Sequence, residues 1–108
     1  YIQMADERPF AFAGLWDAWE GAGHDFVESC TIVTTSANQI IAPIHDRMPV
    51  ILAEESYQAW LDPAGADLKE LKSLLVPFDT LRMKVHPVSR YVNRPGNEGP
   101  ECIAPLAL

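Results

Sequence analysis

Basic residues are scarce in this chain. It holds eight lysines and arginines against fifteen acids, a formal net charge of −7, with a sequence pI of about 4.7. A protein that tracks nucleic acid nonspecifically takes its affinity from neutralised phosphates, so the average charge argues against that class. Cysteine is nearly absent too, with only Cys30 and Cys102. That excludes a dense disulfide scaffold. With no mark of secretion, the expected state is two reduced, buried thiols. No apolar run reaches the roughly 18 residues that span a bilayer, so no membrane partner is expected. The opening YIQMADERPF has neither a basic start nor a signal-like apolar segment. It also lacks an initiator methionine, and a cut inside a longer polypeptide is expected. His24, His45 and His86 have no neighbour at short ligand spacing. Neither a metal nor any other cofactor is expected.

What is present fits one globular domain, or part of one, in 108 residues. Hydrophobic residues make up 48% and charged residues 21%, ordinary for a globular chain. The charge is unevenly placed. Residues 1–29 carry six acids and only Arg8 as a base. Residues 80–95 carry Arg82, Lys84, Arg90 and Arg94 and no acid. An acidic average therefore hides a basic stretch, and steering of a ligand depends on the local field.

Hydrophobic period and punctuation predict an α+β domain with mostly antiparallel pairing and two helices. FAFAGLW (10–16) reads as a buried strand and DAWEGAGHD (17–25) as a loop or hairpin turn. FVESCTIVTT (26–35) is rich in β-branched residues and reads as a strand. Residues 36–46 open with a helical turn capped by Ser36 and ended by Pro43, and 48–52 form a short apolar strand or an extended segment. Helices are expected over 53–61 and 67–75. In the second, Leu68, Leu71 and Leu75 share a face. Residues 80–89 alternate Leu81, Met83 and Val85 with Arg82, Lys84 and His86, a half-exposed strand with its basic side out. The tail from Arg90 to Leu108 reads as loop.

The chemistry concentrates in IHDRMPVIL (44–52). An imidazole moves protons near neutral pH, and an arginine fork fits a phosphate. On an extended segment His45 and Arg47, two residues apart, share a face and reach one ligand. The plain alternative is a hydrogen-bonded histidine at a strand edge beside a surface Asp46 and Arg47. TTSAN (34–38) offers hydroxyls that either hold a phosphate or only cap a turn. Cys30 sits inside an expected strand, where a thiol behaves as a core residue rather than as a nucleophile for His45. Trp16, Trp19 and Trp60 suit core or rim packing better than base stacking.

Together, PFAFAGLWDAW, CTIVTTSAN, IHDRMPVIL and VSRYVNRPGNEGPECI resemble the SRAP family, the SOS-response-associated peptidases that include abasic-site processing proteins. The HxRMP segment of that family matches His45, Arg47, Met48 and Pro49. The resemblance implies binding to single-stranded DNA at abasic sites, in the cytoplasm at lesions on the nucleoid. It implies an N-terminal cysteine that condenses with the ring-opened sugar to give a thiazolidine crosslink. His45 would transfer protons during ring opening and the Schiff-base steps. Arg47 would contact backbone phosphate, and Thr34 or Thr35 would lie at the pocket wall.

The departures from the family pattern matter as much. Neither Cys30 nor Cys102 matches the reactive cysteine. The family's catalytic glutamate and asparagine belong to segments that would precede Tyr1. The expectation is a C-terminal portion, residues 1–108, of a single SRAP domain whose N-terminal portion is missing, and which cannot crosslink alone. Two further functions stand beside it: a non-catalytic single-stranded DNA-binding or interaction fragment, and a peptidase acting on other proteins.

Overall fold

The computed structural model describes residues 1–65 and 67–107 and divides into two compact units. The first joins Tyr1–Pro9 to the segment from Thr80, and the second is Phe10–Asp79. The architecture is α+β, as the sequence predicts, and every named strand pairing is antiparallel.

In the first unit, strand β1 (Ile2–Met4) pairs with β8 (Met83–Val85). Met4 and Met83 face each other in register and are both buried. The strand expected over 80–89 is shorter than predicted. Thr80–Arg82 form a 3-10 turn, and Leu81 is 89% exposed instead of facing inward. A three-residue turn breaks the period of two, so only Met83, Lys84 and Val85 obey the alternation. The tail is more ordered than a loop. Ser89 caps a 3-10 turn over Arg90–Asn93 by accepting from the Tyr91 amide at 3.2 Å. A second such turn spans Pro100–Cys102. The Asn97 side chain donates to the Tyr91 carbonyl at 2.8 Å, and a Val88–Pro105 bridge ties the end back. Leu108 lies outside the described residues.

The second unit is built on strands that change partners. Strand β2 (Ala11–Phe12) continues through Ala13 into β3 (Gly14–Glu20). Strand β4 (Phe26–Ile32) continues through Val33 into β5 (Thr34–Ser36). Strand β6 (Arg47–Pro49) continues through Val50 into β7 (Ile51–Leu52). The ladders are β2–β7, β3–β4 and β5–β6. Where they meet, the linking residues bond in a ring. Ala13 donates to Val50 at 2.8 Å, Val50 to Val33 at 2.9 Å, and Val33 to Ala13 at 2.9 Å. Each amide and carbonyl left over by one ladder is thus satisfied by another.

Ala13 and Val50 are fully buried there, and with Leu52 they form the core. Val33, Tyr57, Trp60, Leu74 and Leu75 pack around it. The expected helix at 53–61 is a 3-10 turn, Glu54–Ser56, followed by α1 (Tyr57–Leu61). Trp60 is partly buried against the core, and its Nε1 donates to the Gly14 carbonyl at 3.1 Å. Helix α2 (Leu68–Ser73) is shorter than the predicted 67–75 and is capped by Asp67, which accepts from the Lys69 amide. Leu68 is 65% exposed, so the core is reached by Leu74 and Leu75 beyond the helix rather than by a Leu68 face.

Strands β3 and β4 form a two-stranded ribbon whose every residue is exposed, on both faces. This corrects the buried strand expected at 10–16 and the loop expected to begin at Asp17. Trp16 is 73% exposed and Trp19 64%, so these two do not pack as core or rim. Cys30, opposite Trp16, is an exposed free thiol and Cys102 a half-buried one, not the buried pair the sequence suggested. The ribbon turns at Gly21, whose amide donates to the Asp25 carbonyl at 2.8 Å. A Cβ on Gly21 would lie 2.5 Å from the Trp19 ring, so glycine is what lets that ring cover the turn.

Candidate functional site

The segment before β6 is shaped by one buried polar side chain. Asn38, 9% exposed, accepts from the Ile41 amide through Oδ1 at 3.1 Å and donates from Nδ2 to the Phe78 carbonyl at 2.8 Å. Its own amide meets the Met48 sulfur at 3.4 Å. Asn38, not Ser36, therefore organises the turn, because its carboxamide accepts at one atom and donates from another, and so joins two separate backbone groups. The turn runs through Ile41, whose carbonyl accepts from the amides of Ile44 at 2.8 Å and His45 at 3.0 Å. Pro43, with no amide hydrogen, leaves no unsatisfied donor there.

This places His45 immediately before β6. Its Nδ1 lies 3.0 Å from the Arg47 amide, which can donate only to an unprotonated ring nitrogen. The same Nδ1 is 3.2 Å from the Arg47 carbonyl and 3.1 Å from Asp46 Oδ1. The His45 side chain is 67% exposed, and its Nε2 has no hydrogen bond among the described residues. Arg47 is held across the β5–β6 ladder. Its Nη2 donates to both the carbonyl and the hydroxyl oxygen of Thr34 at 3.0 Å. Those bonds fix the plane of the guanidinium, and its Nη1 and Nε donors have no partner among the described residues.

Of the four residues singled out from sequence, His45, Arg47 and Thr34 are thus joined by hydrogen bonds. Thr35 sits opposite the buried Met48, on the other face of the two-residue alternation from Thr34. The spacing of His45 and Arg47 was readable in the sequence. The grip of Thr34 on Arg47 was not, since it is a diagonal contact that depends on the register of the ladder, which sets Ser36 opposite Arg47. Asn38 was noticed only as part of a capped turn.

The basic stretch belongs to the first unit. Lys84 is paired with Glu7 at 3.0 Å, while Arg90 and Arg94 are exposed. His24 stands at the ribbon tip, 3.5 Å from Glu20, and the His86 ring meets the Ile103 carbonyl at 2.8 Å. Among the described residues, no cluster of three or more metal-ligating side chains occurs, and no helix is long and apolar enough to cross a membrane. Two shallow depressions, one along Tyr57–Pro63 and one on the ribbon at Trp16 and Cys30, are not lined by His45 or Arg47.

The family model for the SOS response associated peptidases (SRAP) matches residues 1–95. The abasic site processing protein YoqW of Bacillus subtilis (strain 168) is 43% identical over 102 residues, covering 94% of this chain and 46% of that protein. The abasic site processing protein HMCES of Mus musculus is 38% identical over 102 residues, covering 94% of this chain and 28% of that protein. A crystal structure of a protein from Bacteroides thetaiotaomicron superposes with a TM-score of 0.85 at 30% identity, covering 99% of this chain and 47% of that one. The chain spans about half the length of the bacterial relatives it matches. By sequence and by fold alike, the chain belongs to the SRAP family.

Proposed function

We propose that this chain is the C-terminal part of an abasic-site processing protein that crosslinks itself to abasic sites in single-stranded DNA. The observation that carries the reading is the joined pair at the start of β6: an imidazole with a free Nε2 beside a guanidinium held flat by Thr34. The relatives' names supply the substrate class. An abasic sugar is an aldehyde in its open form, flanked by phosphates. Arg47 takes a flanking phosphate with its outward donors, and Thr34 lines the wall beside it, while Thr35 faces the other side of the strand. His45 moves protons at Nε2 while the sugar ring opens and the imine forms.

The nucleophile comes from elsewhere. An N-terminal cysteine, with its asparagine and glutamate helpers, would be contributed by the other half of the domain. Its amine adds to the aldehyde carbon and one water leaves. The thiol sulfur then closes on the imine carbon, giving a thiazolidine with no redox partner. The exposed apolar ribbon is the surface such a half would cover, since large apolar patches mark contact sites. The chain alone then serves as a non-catalytic binding and docking half.

A denaturing gel tests this. Abasic single-stranded DNA is mixed with this chain, with a separately made N-terminal half, and with both. A retarded band that survives denaturation only in the mixture, and weakens with His45→Ala, is expected. A band from this chain alone, or none from any mixture, overturns the reading.

A further inference from the structure

The surroundings of His45 suggest how it keeps one nitrogen for chemistry. In the neutral ring, Nδ1 accepts from the Arg47 amide, so the ring proton sits on Nε2. When the ring gains a second proton, Nδ1 becomes a donor and that bond is lost. The Arg47 carbonyl, 3.2 Å from Nδ1, is then a neutral acceptor at longer reach, and a ring held by it alone would turn and carry Nε2 away. Asp46 Oδ1, 3.1 Å from Nδ1, is an anionic acceptor already in place. Its backbone is fixed as well, because the Asp46 carbonyl accepts from the Ala37 amide at 3.0 Å. Among the described residues Asp46 is the one carboxylate paired with His45: the turn 38–44 carries no charge, and β5 offers only the hydroxyls of Thr34, Thr35 and Ser36. The remaining charged neighbour is Arg47, whose fork is turned to Thr34.

We propose that Asp46 is a positioning residue for His45, taking over Nδ1 whenever the ring is protonated, so that Nε2 is presented alike in both states. The proposal rests on the reading of His45 as the proton-transfer group. The Arg47 amide and Asp46 carboxylate are alternate partners of one nitrogen. Protonation exchanges them without rotating the ring.

The test is a magnetic-resonance contact between the His45 ring and the Arg47 amide in the isotope-labelled chain, read near pH 5 and near pH 8, with the protonation of the ring followed by its own ring-proton shifts. The native chain shows the contact at both. Asp46→Ala keeps it near pH 8 and loses it near pH 5. Asp46→Asn, which keeps an oxygen at the same reach, retains part of it. If Asp46→Ala keeps the contact near pH 5, the Arg47 carbonyl suffices and the proposal fails. It also fails if the native ring loses the contact on protonation. In the two-half crosslinking mixture, Asp46→Ala should slow the covalent step roughly two- to fivefold near pH 6, as expected of an exposed pair. DNA retention should be unchanged. An unaltered rate and pH profile would overturn the role. Absence of crosslinking by the native mixture would sink the function proposed above but leave the ring measurement standing.

Discussion

Strands that meet at Ala13, Val33 and Val50 run on into two regions with opposite surroundings. At the junction each strand pairs on both sides, and the side chains of Ala13 and Val50 have no exposed surface. Beyond it, β3 and β4 have only each other, and their tryptophans face outward. Large apolar side chains stand in both places, so their burial depends on how many neighbours the topology brings as well as on hydrophobicity. The junction is the buried centre of its own unit, and the ribbon leaves its large apolar side chains exposed. It carries Asp17, Glu20, Asp25 and Glu28 and no lysine or arginine. That repels phosphate and suits a protein surface with an apolar centre and a basic rim.

The contrast can be broken or sharpened by substitution. Val50→Ala opens a cavity in the junction and should cost about 2 to 3 kcal/mol in urea unfolding. A loss below about 1 kcal/mol would mean the junction is not the centre of stability. Asn38→Ala removes the side-chain bonds to the Ile41 amide and the Phe78 carbonyl but keeps the backbone bond from the Ile41 amide, and should cost about 1 to 2 kcal/mol. It should also disperse the amide signals of residues 39–47 while leaving the ribbon unchanged. Signals perturbed throughout would show that the turn is no separate unit. Arg47→Ala should weaken retention of single-stranded DNA about equally for any sequence and lower the salt slope by about one charge. Identical slopes for variant and native chain would remove the phosphate contact. Smallest of all, Trp16→Ser should change the stability of this chain alone by no more than about 0.5 kcal/mol. A loss above about 1 kcal/mol would show that the ribbon is already covered in solution.

The same contrast explains what the sequence could reveal. The strand run at 26–35 and the two helical stretches follow from local patterns, and they were legible. The burial of FAFAGLW was not, because aromatic residues look alike whether they meet a core or wait for a partner. The ring of bonds at Ala13, Val33 and Val50 left no mark in any period, since each is one residue within a longer run. Ser36 against Asn38 was a choice between two good capping residues, decided by the distant Phe78 carbonyl. Leu81 followed the alternation in sequence and escaped it in space, because the chain was still turning.

The ribbon also bears on how the chain acquires its structure. Its two strands are joined by a short turn, so their contacts close quickly and at little entropic cost. The ring at the junction, by contrast, joins residues far apart in sequence. A hairpin formed early brings Ala13 and Val33 together at its base, and β6–β7 then has a prepared edge to join. The part of the chain that contributes least to the finished core is therefore the one best placed to begin building it.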